Sequence, residues 1–249
     1  MSRPIVSVVI ATCLMVSSSD AWAMGLRSFV ALPLEKGGIV LRLFDEHNLD
    51  RDVNVLTTNL AYGISGKQTL FLGLPYRLSP SGPDRLSDLN VLYRHIVWQV
   101  DDDVGTSRLG LLGGVVVPTD SDRDLRVQAG VVATFFRRRH EWDLDALWVQ
   151  GTGNAPNAAR YDISWQYRLT PATYPEWGAA TEWDGVLELN GRWVQGNTFV
   201  HQFTTGLQWI HRRWVLEGGV VQDLNGPQDT RFVLSTRIHS HTLLGKRWS

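Results

Sequence analysis

The sequence predicts an all-β protein, a single antiparallel transmembrane β-barrel of about 12 strands, an even number that places both termini in the periplasm. Apolar and polar residues alternate with a period of two through long runs, as they do in strands whose two faces meet different surroundings. Aromatic residues recur at the ends of these runs, where a membrane-spanning strand meets the lipid–water interfaces. The N-terminal residues have the features of a secretory signal, which an exported barrel requires.

Residues 1–23 are predicted to be a signal peptide. Arg3 supplies a positive start, residues 5–16 are mostly apolar, and residues 21–23 (AWA) have small residues at the two positions that cleavage requires. The alternative is a membrane anchor, but a helical span takes about 20 apolar residues and this run is shorter. Cys13 is the one cysteine of the chain, so the mature protein is predicted to have neither disulfides nor thiolate metal sites.

The composition differs from that of a typical soluble domain. Among 24 basic residues only Lys36, Lys67 and Lys246 are lysines, whereas the sequence contains 11 tryptophans. Tryptophan is favoured where one side of its ring is apolar and the other is wet, as at a membrane interface. The formal net charge is −1, and nothing in this balance predicts the basic face of a nucleic-acid-binding protein.

Residues 24–37 precede the first alternating run and are predicted to be an N-terminal segment. They could form a thirteenth strand, a periplasmic extension or a piece of chain tucked into the lumen. An odd strand count would break the rule for single-chain bacterial barrels, so we favour a segment that is not part of the barrel wall. The barrel domain is then residues 38–249.

The run from Glu182 to Trp193 shows the expected strand pattern most clearly. Its odd positions are apolar or glycine with a tryptophan at each end, and its even positions are mainly polar or charged. A rise of about 3.3 Å per residue separates Trp183 from Trp193 by about 33 Å, and a strand tilt of about 40° reduces this to about 25 Å. That height matches the lipid-facing band of outer-membrane barrels.

Similar alternation elsewhere predicts the other strands. We place the set at 38–46, 53–62, 68–77, 88–99, 106–117, 126–136, 141–150, 159–169, 181–193, 198–210, 214–222 and 230–240. The connections at 63–67, 100–105, 137–140 and 211–213 are predicted periplasmic turns. The longer ones, rich in Gly, Pro, Asp and Asn, are predicted outer loops: 47–52, 78–87, 118–125, 151–158 and 223–229. Two connections fit poorly, since 170–180 is long for a turn and 194–197 is short for an outer loop.

The charged face of the strands is predicted to line the lumen. Opposite charges on neighbouring strands would pair and fill the interior, and a solute site is the alternative role for them. Eight-stranded barrels are filled by side chains and barrels of 16–18 strands enclose a channel, so a lumen of about 12 strands should be narrow. The lumen-lining candidates are Asp143, Asp145, Arg160, Asp162, Arg168, Asp184, Glu188, Arg192, Arg231 and Arg237. The predicted interface girdle contains Trp142, Trp148, Trp183, Trp193 and Trp209.

Short motifs between about residues 60 and 170 carry a further signal. Residues 62–65 (YGIS) lead into 70–76 (LFLGLPY), residues 86–94 begin with LSDL and end with YR, and residues 111–119 end in Pro-Thr. In these motifs the chain resembles the MetA-pathway-of-phenol-degradation type of outer-membrane proteins, although Asp120 replaces the glycine that follows Pro-Thr in that family. The resemblance implies a barrel that passes hydrophobic or aromatic compounds across the outer membrane, and it implies no catalytic residues.

The leading functional hypothesis is therefore a channel or transporter in the outer membrane of a Gram-negative bacterium, for hydrophobic or aromatic small molecules. The alternatives are a non-transporting structural barrel and a soluble periplasmic binding barrel of the lipocalin type. The expected partners are outer-membrane lipid, lipopolysaccharide, the barrel assembly machinery and small hydrophobic solutes.

The sequence predicts no enzyme. The motifs GxSxG and HExxH, Walker-type glycine loops and paired cysteines do not occur in it. His239 and His241 would share one strand face, a spacing that can chelate a metal, but a polar strand end is the simpler interpretation. No catalytic residue, metal or cofactor is predicted.

Overall fold

The computed structural model of the protein describes residues 25–82, 84–173 and 181–240. The predicted signal peptide, His241 and most of the 170–180 connection lie outside the described residues. Among the described residues, no helix is long and apolar enough to cross a membrane.

The described chain folds into strands of 10 to 14 residues. In chain order they are β1 (Ile39–Asn48), β2 (Val53–Ser65), β3 (Gln68–Ser79), β4 (Leu89–Asp102), β5 (Gly105–Val117), β6 (Arg126–Arg137), β7 (His140–Gly151), β8 (Ala158–Thr170), β9 (Thr181–Val194), β10 (Val200–His211), β11 (Trp214–Asp223) and β12 (Thr230–Ser240).

The strands form one closed antiparallel barrel. Each strand pairs with its neighbours in the sequence, and β1 pairs with β12 from Ile39 opposite Ser240 to Asn48 opposite Arg231. Closure removes the unpaired sheet edges that would otherwise invite aggregation. The predicted fold class, with its even strand count, is confirmed.

The connections divide the barrel into two ends. At the turn end, two-residue connections such as 66–67 and 212–213 join the strands, and β1 begins and β12 ends there. At the loop end, longer connections include 80–88, 118–125 and 224–229. The 195–199 connection is also at the loop end, and it remains shorter than most of its neighbours there.

Period-two alternation separates an apolar outer surface from a polar interior. On β9, Leu187 is 39% exposed on the outside, while the side chains of Asp184 and Glu188 are buried inside. Leu234 on β12 is 66% exposed. Large apolar side chains on so many outward positions would be unfavourable in water, and they suit a wall that faces hydrocarbon.

Aromatic rings pair across neighbouring strands near both ends of the wall. At the turn end, the rings of Trp183 and Trp209 stack with centroids 5.6 Å apart, and Trp214 meets Trp209 edge-on at 4.7 Å. At the loop end, Trp148 and Trp193 stack at 5.7 Å. Trp142, on the outer face at the turn end, lies 6.1 Å from Trp165. The described tryptophans thus occupy two belts separated by aliphatic residues, the arrangement typical of interface anchors.

Candidate functional site in the barrel lumen

The ten charged residues selected from the sequence occupy inward-facing positions of β7, β8, β9 and β12. Seven of them are almost completely buried: Asp143, Asp145, Asp162, Arg168, Asp184, Glu188 and Arg237. The other three, Arg160, Arg192 and Arg231, keep part of their side chains exposed inside the barrel.

Ion pairs between strands fill much of the charged half of the lumen. Arg192 contacts Asp162 at 2.6 Å, and Arg237 contacts Glu217 at 2.9 Å. Glu217 also forms an ion pair with Arg42, at 2.5 Å. Taking a charged group out of water costs several kcal/mol. A buried charge therefore needs a partner of opposite sign that offsets this cost. Glu217 and Arg42 belong to this network although they were not among the residues selected from the sequence.

The N-terminal segment, residues 25–38, runs through the lumen. Its backbone amides donate to wall carboxylates: Arg27 N lies 3.1 Å from Glu188 Oε2, and Phe29 N lies 2.8 Å from Asp145 Oδ2. The Ser28 hydroxyl also donates to Glu188 at 3.2 Å. Glu188 and Asp145, two of the predicted lumen-lining residues, therefore accept hydrogen bonds from residues 27–29. The strand pattern alone did not predict this role.

Wall arginines bind the carbonyls of the same segment. Arg42 Nη2 donates to the Leu26 carbonyl at 2.5 Å. Arg94 donates to the carbonyl of Val30 and, at 2.6 Å, to that of Leu32. Arg94 is almost fully buried, and none of the ion pairs between described residues involves it. Its charge is therefore stabilised by carbonyl dipoles, and these contacts satisfy backbone groups that would otherwise be buried unpaired.

Glycines in the wall make room for the segment. Gly206 and Gly219 lie opposite each other on β10 and β11, and a Cβ on either would lie 2.6 or 2.8 Å from Leu26 Cδ1. On β2, a Cβ on Gly63 would lie 1.9 Å from the Glu35 carbonyl oxygen. Gly63 also exchanges backbone hydrogen bonds with Gly37 and Gly38 at 2.7 and 2.9 Å. The wall is thus shaped to accept residues 25–38.

The side chains of the segment separate an apolar half of the lumen from a charged half. Ala31 packs into a buried cluster formed by residues of β4 to β7: Leu92, Ile96, Leu112, Val132 and Leu147. Phe29 lies between the two halves, with its ring 5.8 Å from that of Phe71 and 4.4 Å from the Arg160 guanidinium carbon. The latter distance is that of a cation–π contact.

Two cavities remain beside the segment. The inner cavity, of about 290 Å³, lies between residues 26–34 and the wall formed by β1 to β4. The outer vestibule, of about 650 Å³, lies at the loop end and is bordered by Arg51, Trp193 and Pro227. Arg160 and Arg192 line both cavities, so this arginine pair lies where the two spaces meet.

The described residues contain no cluster of three or more His, Cys, Asp or Glu side chains arranged to hold a metal. His239 lines the inner cavity, and its predicted companion His241 lies outside the described residues. The lumen is partly filled by residues 25–38, and two cavities remain within it.

Comparison with known proteins relates the chain to barrels by structure alone. No family model matches the sequence, and no curated protein matches it. An outer-membrane channel from Pseudomonas putida F1 superposes with a TM-score of 0.55 at 13% identity, over 84% of this chain and 98% of that chain. The shared feature is the fold.

Two porins give similar values. The KdgM porin has a TM-score of 0.55 at 9% identity, over 81% of this chain and 99% of that chain. The NanC porin has a TM-score of 0.53 at 9% identity, over 80% of this chain and 98% of that chain. All three are barrels covered almost completely by this chain, so the likeness extends to the whole barrel and not to a part of it.

Proposed function

We propose that the protein is an outer-membrane channel or transporter of a Gram-negative bacterium that passes small hydrophobic or aromatic molecules, with residues 25–38 narrowing its lumen. The observation that carries this proposal is the pair of cavities that meet at Arg160 and Arg192. One cavity opens at the loop end and the other lies beside residues 26–34, and both are lined by this arginine pair.

The lining of the inner cavity favours solutes with apolar surface. Phe29, Phe71 and Leu92 line it together with Val40 and Ala61. Sites for small organic molecules are usually lined by apolar and aromatic side chains with a few polar groups that fix orientation. The resemblance of residues 62–76 to the phenol-degradation MetA-pathway type of proteins supports the same solute class and is part of the proposal.

The proposed location makes lipid, lipopolysaccharide and the barrel assembly machinery partners of the protein. The outward Leu187, Leu207 and Leu234 support it, because a water-soluble lipocalin-like barrel would expose these side chains to solvent. We expect tryptophan fluorescence of the reconstituted protein to be quenched most by lipids brominated near the headgroup and least by lipids brominated at the chain ends. The folded protein should also change its gel mobility on boiling; equal quenching at every depth would contradict a membrane-spanning barrel.

A non-transporting structural barrel is the second candidate. The observation that favours it is the segment itself, since residues 25–38 are bound to several sides of the wall through Glu188, Asp145 and Arg94. A segment that never moves would leave a closed barrel, whose function would lie in its loops and its lipid contacts.

Uptake into vesicles with a lipopolysaccharide outer leaflet separates these candidates. The protein should accelerate entry of the hydrophobic dye N-phenylnaphthylamine, which such leaflets exclude. Ala61→Trp should reduce the rate several-fold, because Ala61 lines the inner cavity and the indole would occupy it. Ala146→Trp is the matched control, since Ala146 lies on the outer face of β7. Entry no faster than in empty vesicles, with no conductance in planar bilayers, would favour the structural barrel.

A further inference from the structure

Arginine supplies nearly all the charged side chains that line the two cavities. Among the described residues that line the inner cavity or the outer vestibule, Glu46 is the one carboxylate. The arginines that line them are Arg27, Arg42, Arg51, Arg94, Arg160, Arg192 and Arg237. The predicted set of lumen charges was mixed in sign, yet the part of it that meets open space is cationic.

The carboxylates that balance these arginines lie behind them. The side chains of Asp145 and Asp162 have no exposed surface, whereas those of Arg160 and Arg192 are 25% and 26% exposed. The carboxylates are therefore buried in the wall, and the guanidinium groups lie at the surface of the cavities. A solute in either cavity meets guanidinium groups first, and the field that it experiences favours an anion.

Arg160 and Arg192 form the focus of this surface. They are directly opposite each other in the β8–β9 register, a placement in which like charges are unfavourable. Asp162 lies 2.6 Å from Arg192 and 3.9 Å from Arg160. Arg160 lies 3.6 Å from Asp145 and 3.9 Å from Asp162, both longer than a hydrogen bond, and its side chain is 25% exposed. The exposed part of this guanidinium can therefore donate to a further acceptor.

An apolar wall adjoins this pair. The Phe29 ring lies 4.4 Å from the Arg160 guanidinium carbon, and Phe71 and Leu92 line the inner cavity beyond it. We propose that Arg160 and Arg192 bind the carboxylate of a small amphipathic organic acid, with its aromatic or aliphatic part in the inner cavity. A guanidinium fork matches a carboxylate in geometry and charge. The inference rests on the proposed transport function, for which it specifies the solute class.

Three probes of nearly equal shape test the charge requirement: phenylacetate, phenylacetamide and phenethylamine. Equilibrium dialysis of the radiolabelled probes against folded protein in detergent measures binding. Phenylacetate should bind at least about tenfold more tightly than the neutral amide, since hydrogen bonds to a charged group are worth more than neutral ones. The cationic amine should bind most weakly.

Variants assign this preference to the pair. Arg160→Gln and Arg192→Gln should each reduce the phenylacetate preference by about tenfold, and Arg160→Lys should retain part of it. Arg123→Gln is the control, because Arg123 lies at the loop end, pairs with Asp88 at 2.8 Å and lines neither cavity. Gel mobility before and after boiling shows that each variant is folded.

The result distinguishes this inference from the proposed function. Equal binding of acid and amide, or a preference unchanged in both Gln variants, would overturn the anion site even if dye uptake is normal. An arginine-dependent preference for the acid without any dye uptake or conductance would support the site and reject transport. The same preference together with uptake would support both.

Discussion

Replacing Leu187 with arginine is expected to lower the free energy of unfolding of the barrel by about 2–4 kcal/mol, the cost of a cationic side chain at the midplane of a bilayer. Leu187 points outward and lies between Trp183 and Trp193, whose rings mark the two aromatic belts. An arginine there would have to reach either belt or draw water into the hydrocarbon. Both responses are costly.

Urea unfolding in phospholipid vesicles, followed by tryptophan fluorescence, measures this change. Leu224→Arg is the matched control, because Leu224 is also exposed but lies in the loop that follows β11, outside the apolar band. Its effect should stay below about 1 kcal/mol. Equal effects of the two substitutions would mean that the outer surface is not in contact with hydrocarbon.

The wall could be predicted from the sequence wherever its two faces differ chemically. On β7, the outward Trp142 and Leu144 alternate with the inward Asp143 and Asp145, and the period is unmistakable. On β4, the inward Leu92 is as apolar as the outward Val91, so alternation cannot tell lumen from lipid there. The apolar half of the lumen therefore could not be predicted from the sequence.

The path of residues 25–38 could not be predicted for a different reason. The contacts that hold this segment join distant positions: 160 residues separate Ser28 from Glu188, and 62 separate Leu32 from Arg94. Hydrophobic periodicity within a strand carries no information about contacts between positions so far apart in the sequence. Strand alternation predicts that Arg160 and Arg192 face the lumen. It does not predict the two cavities beside them, because the shape of these cavities depends on where residues 25–38 lie.

Arg94→Met should release the segment from the wall without unfolding the barrel. Arg94 donates to the carbonyls of Val30 and Leu32, and each carbonyl left buried without a partner costs about 1–3 kcal/mol. The barrel itself should tolerate the change, because methionine is similar in size and Leu92 and Ile96 lie on the same inward face of β4. Replacing a buried charge with an apolar group is often neutral or stabilising.

Cysteine labelling measures the release. Val30 is 2% exposed, and the chain's one cysteine, Cys13, lies in the predicted signal peptide. A Val30→Cys side chain should therefore react slowly with a water-soluble maleimide. Adding Arg94→Met should accelerate the reaction by at least about tenfold, the factor that corresponds to about 1.4 kcal/mol.

Arg126→Met provides the control, because Arg126 binds Asp88 at the loop end and makes no hydrogen bond to residues 25–38. Val30→Cys should remain protected in that background. If it stays equally protected in folded Arg94→Met protein, carbonyl binding by Arg94 is not what holds the segment. Faster labelling accompanied by higher conductance would show that the same contacts keep the passage closed, because one bound segment both buries Val30 and fills the lumen.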